Sequence, residues 1–92
     1  MDQLEQLFEL GQIVATKNVL SLVPAEDIIK GLKLHAMGDW GELCDEDRES
    51  NERGLEQGAR LLSAYLDRFG NRYWIITEWD GSLTTILLPE DY

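Results

Sequence analysis

Hydrophobic and polar positions alternate most clearly in the last third of the chain, where LLSAYLD, RYWIITEW and SLTTILL form three β-type runs separated by two turn signals. Side chains along a strand point to opposite faces in turn, so such alternation marks half-buried strands. Asp80-Gly81 lies between Trp79 and Ser82. Both residues tolerate positive φ, and a two-residue type I′ turn there matches the twist of the flanking strands. This turn predicts a register with Trp79 against Ser82, Thr77 against Thr84, Ile75 against Ile86 and Tyr73 against Leu88. Gly70-Asn71 offers a similar turn one strand earlier, which Arg68 and Phe69 can lengthen. As a two-residue turn it sets Leu66 against Ile75 and Ala64 against Thr77. One face then gathers Leu62, Ala64, Leu66, Tyr73, Ile75, Ile86 and Leu88 and is assigned to the core. The reverse gathers Leu61, Ser63, Tyr65, Trp74, Ile76, Leu83 and Leu87, interrupted by Asp67 and Glu78.

Helical spacing takes over upstream. Ile28, Ile29, Leu32 and Ala36, with Leu34 widening the stripe, predict an amphipathic helix over residues 24–37 that covers the core face. Pro24 suits its first position and Gly38 its stop. Glu26 and Asp27 precede Lys30 and Lys33, the order the helix dipole favours. Leu4, Leu7, Phe8 and Leu10 predict one or two helical turns within residues 2–10. The β-branched GQIVAT run over 11–16 predicts a fourth strand. Asn18 is placed to cap a short helix over 19–23, which must end before Pro24. Gly38-Asp39-Trp40-Gly41 reads as a tight turn that folds Trp40 back onto the core. Residues 42–57 form a further helix, capped by Asp45, with Leu55 its one large hydrophobe. The expected fold is a single α+β domain over residues 1–92, a small antiparallel sheet of about four strands with a C-terminal β-meander, packed against two or three helices.

Charge sharpens this picture. The chain carries 18 acidic and 8 basic residues, a formal net charge of −10 in 92 residues. Nonspecific affinity for nucleic acid or an anionic membrane is therefore not expected. From Asp39 to Glu56 eight carboxylates stand against Arg48 and Arg53, a local balance of −6. Glu49 and Arg53 have the i, i+4 spacing of a helix pair. A hydrophobic fraction of 43% argues for a folded domain. The lone Cys44 excludes an internal disulfide, and no apolar run approaches the roughly 20 residues needed to span a bilayer. A soluble, cytoplasmic protein is the expectation.

Candidate chemistry is sparse. His35 lies four residues before Asp39, close enough along a helix for a polar pair able to move a proton, and an enzyme would need to join them with Asn51 or Tyr65. The alternative is a structural histidine near a helix end. His35, Cys44 and nearby acids lack the paired spacing of metal motifs, so no metal or cofactor is expected. Cys44 among Glu42, Asp45, Glu46 and Asp47 reads as a packed thiol rather than a thiolate. Tyr65, Trp74, Ile76, Leu83 and Leu87 would form an aromatic and aliphatic strip on the second sheet face, serving as a protein interface, possible homodimerisation included. The rival for that strip is a cover of Leu4, Leu7 and Phe8. Asp45, Glu46, Glu49 and Glu52 form an acidic surface, either a solvated helix face or a mimic of a phosphate backbone.

Five phrases in order carry a resemblance: Gly11-Gln12-Ile13-Val14-Ala15-Thr16, then His35 followed by Gly38-Asp39-Trp40-Gly41-Glu42-Leu43, then Leu61-Leu62-Ser63-Ala64-Tyr65, Trp74-Ile75-Ile76-Thr77-Glu78 and Thr84-Thr85-Ile86-Leu87-Leu88-Pro89-Glu90-Asp91-Tyr92. Together they resemble a family of small acidic bacterial proteins, described as plasmid-related, that are carried on mobile elements. The resemblance implies a bacterial accessory protein and supplies no catalytic residue. The expected function is non-catalytic binding of a protein partner. The alternatives are an acidic nucleic-acid mimic that inhibits a restriction or CRISPR-type enzyme, and a small enzyme built on His35 and Asp39.

Overall fold

The computed structural model of the chain describes residues 6–92. Four strands, β1 (Gln12–Ala15), β2 (Leu61–Leu66), β3 (Arg72–Thr77) and β4 (Leu83–Leu87), form one sheet in the order β1-β4-β3-β2. Three helices, α1 (Lys17–Leu22), α2 (Ala25–Ala36) and α3 (Asp45–Gln57), precede the meander, and a 3-10 turn, Pro89–Asp91, follows it. The fold is α+β, as expected, but the sheet is mixed because β1 runs parallel to β4. The crossover through α1, α2 and α3 makes that direction possible, since parallel neighbours need a long connection. None of the described helices is long and apolar enough to cross a membrane.

The β3–β4 register matches the expectation, pairing Ile75 with Ile86 and Thr77 with Thr84. Its turn is different. Glu78 N–H donates to Leu83 O (2.9 Å) and Gly81 N–H to Glu78 O (2.9 Å), closing a longer loop over residues 79–82. Gly81 alone there has positive φ (70°), so the expected type I′ geometry is absent. Asp80 instead accepts from the backbone and hydroxyl of Ser82 (3.1 and 2.6 Å).

The β2–β3 register is the main correction. Leu66 pairs with Arg72 and Ala64 with Trp74, three residues away from the expected pairing. Asp67 is the cause. Its carboxylate accepts from Phe69 N–H, Asn71 N–H (both 2.8 Å) and Asn71 Nδ2 (2.9 Å), which holds residues 67–71 in a loop. A slip by an odd number turns every β2 side chain to the other face. Tyr65, Ser63 and Leu61 therefore join Tyr73, Ile75, Thr77, Ile86 and Leu88, while Leu62, Ala64 and Leu66 join Trp74, Ile76 and Leu87.

The core lies between the first face and the helices. Val19 and Val23 from the α1 region and Ile28 of α2 pack on Tyr65, Tyr73, Ile75, Ile86 and Leu88. Both buried tyrosine hydroxyls are satisfied, as burial of a phenol requires: Tyr65 donates to Asp39 O (2.5 Å) and Tyr73 to Asp27 O (2.6 Å). Trp40 folds back as expected and is 2% exposed.

Local boundaries differ in detail. Residues 6–11 are not helical; residues 2–5 of the expected first helix lie outside those described. Leu7 N–H bonds to Ala36 O (2.9 Å), and Phe8 stacks near Trp40 on the core side, so neither covers the second face. Thr16, not Asn18, caps α1 through its hydroxyl (3.1 Å to Val19 N). Pro24 is the N-cap of α2 and Cys44 that of α3, which moves Asp45 into the first turn.

Candidate functional site

His35 does not meet Asp39. Its ring faces inward from α2, with Nδ1 2.5 Å from Ser63 Oγ and Nε2 2.9 Å from Thr77 Oγ1. Thr77 Oγ1 lies 2.7 Å from Thr84 Oγ1, which donates to Leu10 O (2.7 Å). This chain fixes the proton on Nε2, and burial, which keeps the ring neutral, leaves Nδ1 bare. Leu10 O can only accept, so Thr84 donates to it and accepts from Thr77. Thr77 then accepts from Nε2–H, and the bare Nδ1 accepts from Ser63. His35 is the neutral Nε2–H tautomer, and burial pushes its pKa down to about 4.

A serine hydroxyl beside a histidine nitrogen is the pairing nucleophilic catalysis uses. Here His35 and Ser63 are both 0% exposed. The edge of Phe8 (5.2 Å, 88°) and the ring of Trp40 (5.7 Å, 75°) close the remaining sides of the imidazole. No reacting group can reach the pair, so the relay ties α2 to three strands. Asp39 is exposed, its carboxylate accepting from Gly41 N–H (3.3 Å) and its carbonyl from Tyr65. Asn51 is committed to the backbone of Leu62. The enzyme site that would join His35, Asp39 and Asn51 or Tyr65 is not assembled. No three His, Cys, Asp or Glu side chains among the described residues are grouped to hold a metal.

The second sheet face is more open. Trp74, Ile76, Leu83 and Leu87 share it, and Tyr65 does not, because of the β2 register. Ile76 and Leu87 are buried, Trp74 and Leu83 half-buried. A hollow of about 280 Å³ lies where this face meets α3, with Leu62, Trp74 and Ile76 as its floor and Asp47, Ser50, Arg60 and Tyr92 at its rim. Tyr92 reaches it because Asp91 anchors the preceding turn. The Asp91 carboxylate accepts from Thr16 Oγ1 and Asn18 Nδ2 (both 2.7 Å) and from Leu88 N–H (3.1 Å), and these bonds hold its pKa below the usual range. Tyr92 meets Trp74 edge-on (5.8 Å, 69°), and the Arg60 guanidinium lies 5.3 Å from its ring centre. Sequence reasoning missed Leu62, Arg60 and Tyr92. Only the β2 register would have brought Leu62 to this face.

Of the acidic run on α3 only Asp47 lines this hollow. Asp45, Glu46 and Asp47 occupy the first turn of α3, where the helix dipole favours them. Asp45, Glu46, Asp47 and Glu49 form no ion pair among the described residues, and the expected Glu49–Arg53 pair is absent. Arg48 instead donates to the carbonyls of Leu43 (3.1 Å) and Gly41. Glu52 differs from its neighbours, accepting from Trp40 Nε1 (2.9 Å). Cys44 is an exposed free thiol, contrary to the packed one expected.

A larger hollow of about 380 Å³ lies between α2 and the β2–β3 loop. Of the two cations that line it, Lys30 and Arg68, Arg68 is already paired with Asp27 (2.9 Å) and Glu26 (3.2 Å), and its bonds to Asp27 hold that carboxyl below its usual range.

Comparison with protein-family models, curated proteins and solved structures yields no match.

Proposed function

We propose that the protein is a non-catalytic accessory protein that acts through protein contacts, using the second sheet face around Trp74. The carrying observation is the hollow itself: a floor of half-buried Trp74 with Leu62 and Ile76, rimmed by Tyr92 and Arg60, on the sheet face opposite the helix-covered core. Aromatic and arginine side chains beside such a depression are the groups that dominate protein interfaces. The Asp47 carboxylate at its rim, in no ion pair among the described residues, favours a partner with a basic group there. An accessory role fits the mobile-element setting that the sequence resemblance implies, and an exposed lone thiol suits a reducing cytoplasm.

The test is capture from bacterial lysate by wild type and by Trp74→Ala. Loss of one specific captured protein with Trp74→Ala, at unchanged melting temperature, supports the reading. An identical captured set for both proteins would sink it.

A second reading, a nucleic-acid mimic aimed at a basic nucleic-acid enzyme, is favoured by the unneutralised run Asp45, Glu46 and Glu49. Charge reversal at these three positions should then abolish capture while Trp74→Ala leaves it intact. Glu52 is left out of that test because its reversal would disturb Trp40.

A further inference from the structure

The two outer edges of the sheet are treated differently. At β2, Leu62 exchanges hydrogen bonds with the Asn51 amide, while Ala64 N–H donates to Trp40 O (3.1 Å) and its carbonyl accepts from Glu42 N–H (2.6 Å). This edge is closed. At β1, Gln12 N–H donates to Ser82 O and Thr16 N–H to Ile86 O (both 3.0 Å). In a parallel ladder alternate residues carry the bonds, so Gln12, Val14 and Thr16 face β4 while Ile13 and Ala15 turn outward. Their N–H and C=O groups have no partner among the described residues. Ile13 and Val14 are 48% and 36% exposed, so an apolar side chain reaches solvent on each side of this open edge.

From the distribution of charge we infer that β1 pairs antiparallel with β1 of a second copy of this chain. The protein carries −10, yet between Gln6 and Ala25 there are only two charged residues, Glu9 and Lys17, and they cancel. The Asp91 carboxylate also reaches this edge, where Thr16 and Asn18 hold it, so the segment adds few charges of its own to oppose a second copy. Antiparallel pairing about a two-fold axis at Val14 sets Ile13 opposite Ala15 of the other copy, so the outward groups of each satisfy the other. It also brings the end of β1 that follows Glu9 against the end that precedes Lys17, putting opposite charges together twice. The acidic α3 is at the far edge, beside β2. The two copies then share one continuous sheet and present their Trp74 faces on the same side, so a partner with two sites would be held bivalently.

Sedimentation equilibrium of the full chain tests this. Wild type is expected to pass from monomer to dimer across the micromolar range. Ile13→Pro removes an outward N–H and should stay monomeric. Lys17→Glu should weaken the dimer roughly threefold to tenfold, the scale of two exposed ion pairs, and adding Glu9→Lys should restore it, a rescue that a folding defect would not show. A wild type that is monomeric at high micromolar concentration overturns the inference. So does a dimer that survives Ile13→Pro, or one lost on Trp74→Ala.

Discussion

Asn51 and Leu62 exchange two hydrogen bonds, Asn51 Nδ2 to Leu62 O at 2.6 Å and Leu62 N–H to Asn51 Oδ1 at 3.1 Å. A side-chain amide here takes the place of the missing neighbour strand, offering one donor and one acceptor as a peptide group does. Asn51 is itself buried, which seats α3 against β2 although that helix has almost no apolar stripe. Asn51→Ala leaves both Leu62 groups unpaired and should cost about 1–3 kcal/mol, the usual penalty for orphaned buried polar groups. Asn51→Asp should cost at least as much, because its carboxylate faces the Leu62 carbonyl. Urea unfolding measures both; a loss under about 0.5 kcal/mol for either would mean that water replaces the amide.

The His35 relay predicts a particular acid response. His35 is neutral in the folded protein, with its pKa down at about 4 against 6.5 when free. Between those values the unfolded chain binds more protons than the native one, so stability rises with pH there and is lost as pH falls from about 6.5 toward 4. The full effect is roughly 3 kcal/mol. Asp27, Asp67, Asp80 and Asp91, whose pKa values are lowered, lose their contributions only as pH falls below 3.8, outside this window. Unfolding free energies at pH 7.5, 5.5 and 4.5 should therefore fall for wild type and stay nearly level for His35→Gln. Equal slopes would remove His35 as the cause.

Two glycines with similar φ separate steric from conformational cost. Gly41 (φ 74°) lies against the Ala64 carbonyl and the Tyr65 ring, where a Cβ would collide, whereas nothing is within 4 Å of a Cβ at Gly70 (φ 85°). Gly70→Ala should cost about 1 kcal/mol, the left-handed penalty alone. Gly41→Ala adds overpacking of about 1–3 kcal/mol and loosens residues 40–42 from β2. Thermal melts should rank them in that order; equal costs would show that the β2 edge yields without resistance.

What could be read in advance was whatever local spacing controls. The α2 stripe from Ile28 to Ala36 and the Ile75–Ile86 pairing are set by neighbours a few residues away, so both emerge from the sequence even though the Asp80-Gly81 loop adopts another geometry. Trp74, Ile76, Leu83 and Leu87 share a face for the same reason. Tyr65 lies on the face opposite the one its spacing suggests because the carboxylate and amide of Asp67 and Asn71 set the β2–β3 loop length, a choice Gly70-Asn71 does not reveal. The partners of His35 were out of reach because Ser63 and Thr77 lie 28 and 42 residues away. Parallel pairing of β1 was likewise hidden, since β-branched residues at 13 and 14 specify a strand without its direction.

The rim of the Trp74 hollow supplies the last test. Tyr92 is 69% exposed and touches the folded body through Trp74 and Arg60. Tyr92→Ala should therefore cost at most about 0.5–1.5 kcal/mol, the range for an aromatic pair, while uncovering the edge of Trp74. Fluorescence quenching by acrylamide reads that exposure once the 68% exposed Trp79 is replaced by Phe, because the remaining Trp40 is 2% exposed and nearly silent to quencher. In the Trp79→Phe background, Tyr92→Ala should raise the quenching constant about twofold with little change in melting temperature. If the protein binds its partner through this face, the same substitution should weaken capture without abolishing it, since Trp74, Leu62 and Ile76 keep the floor of the hollow. A quenching constant unchanged by Tyr92→Ala would show that Tyr92 does not cover Trp74, leaving the hollow without its aromatic rim.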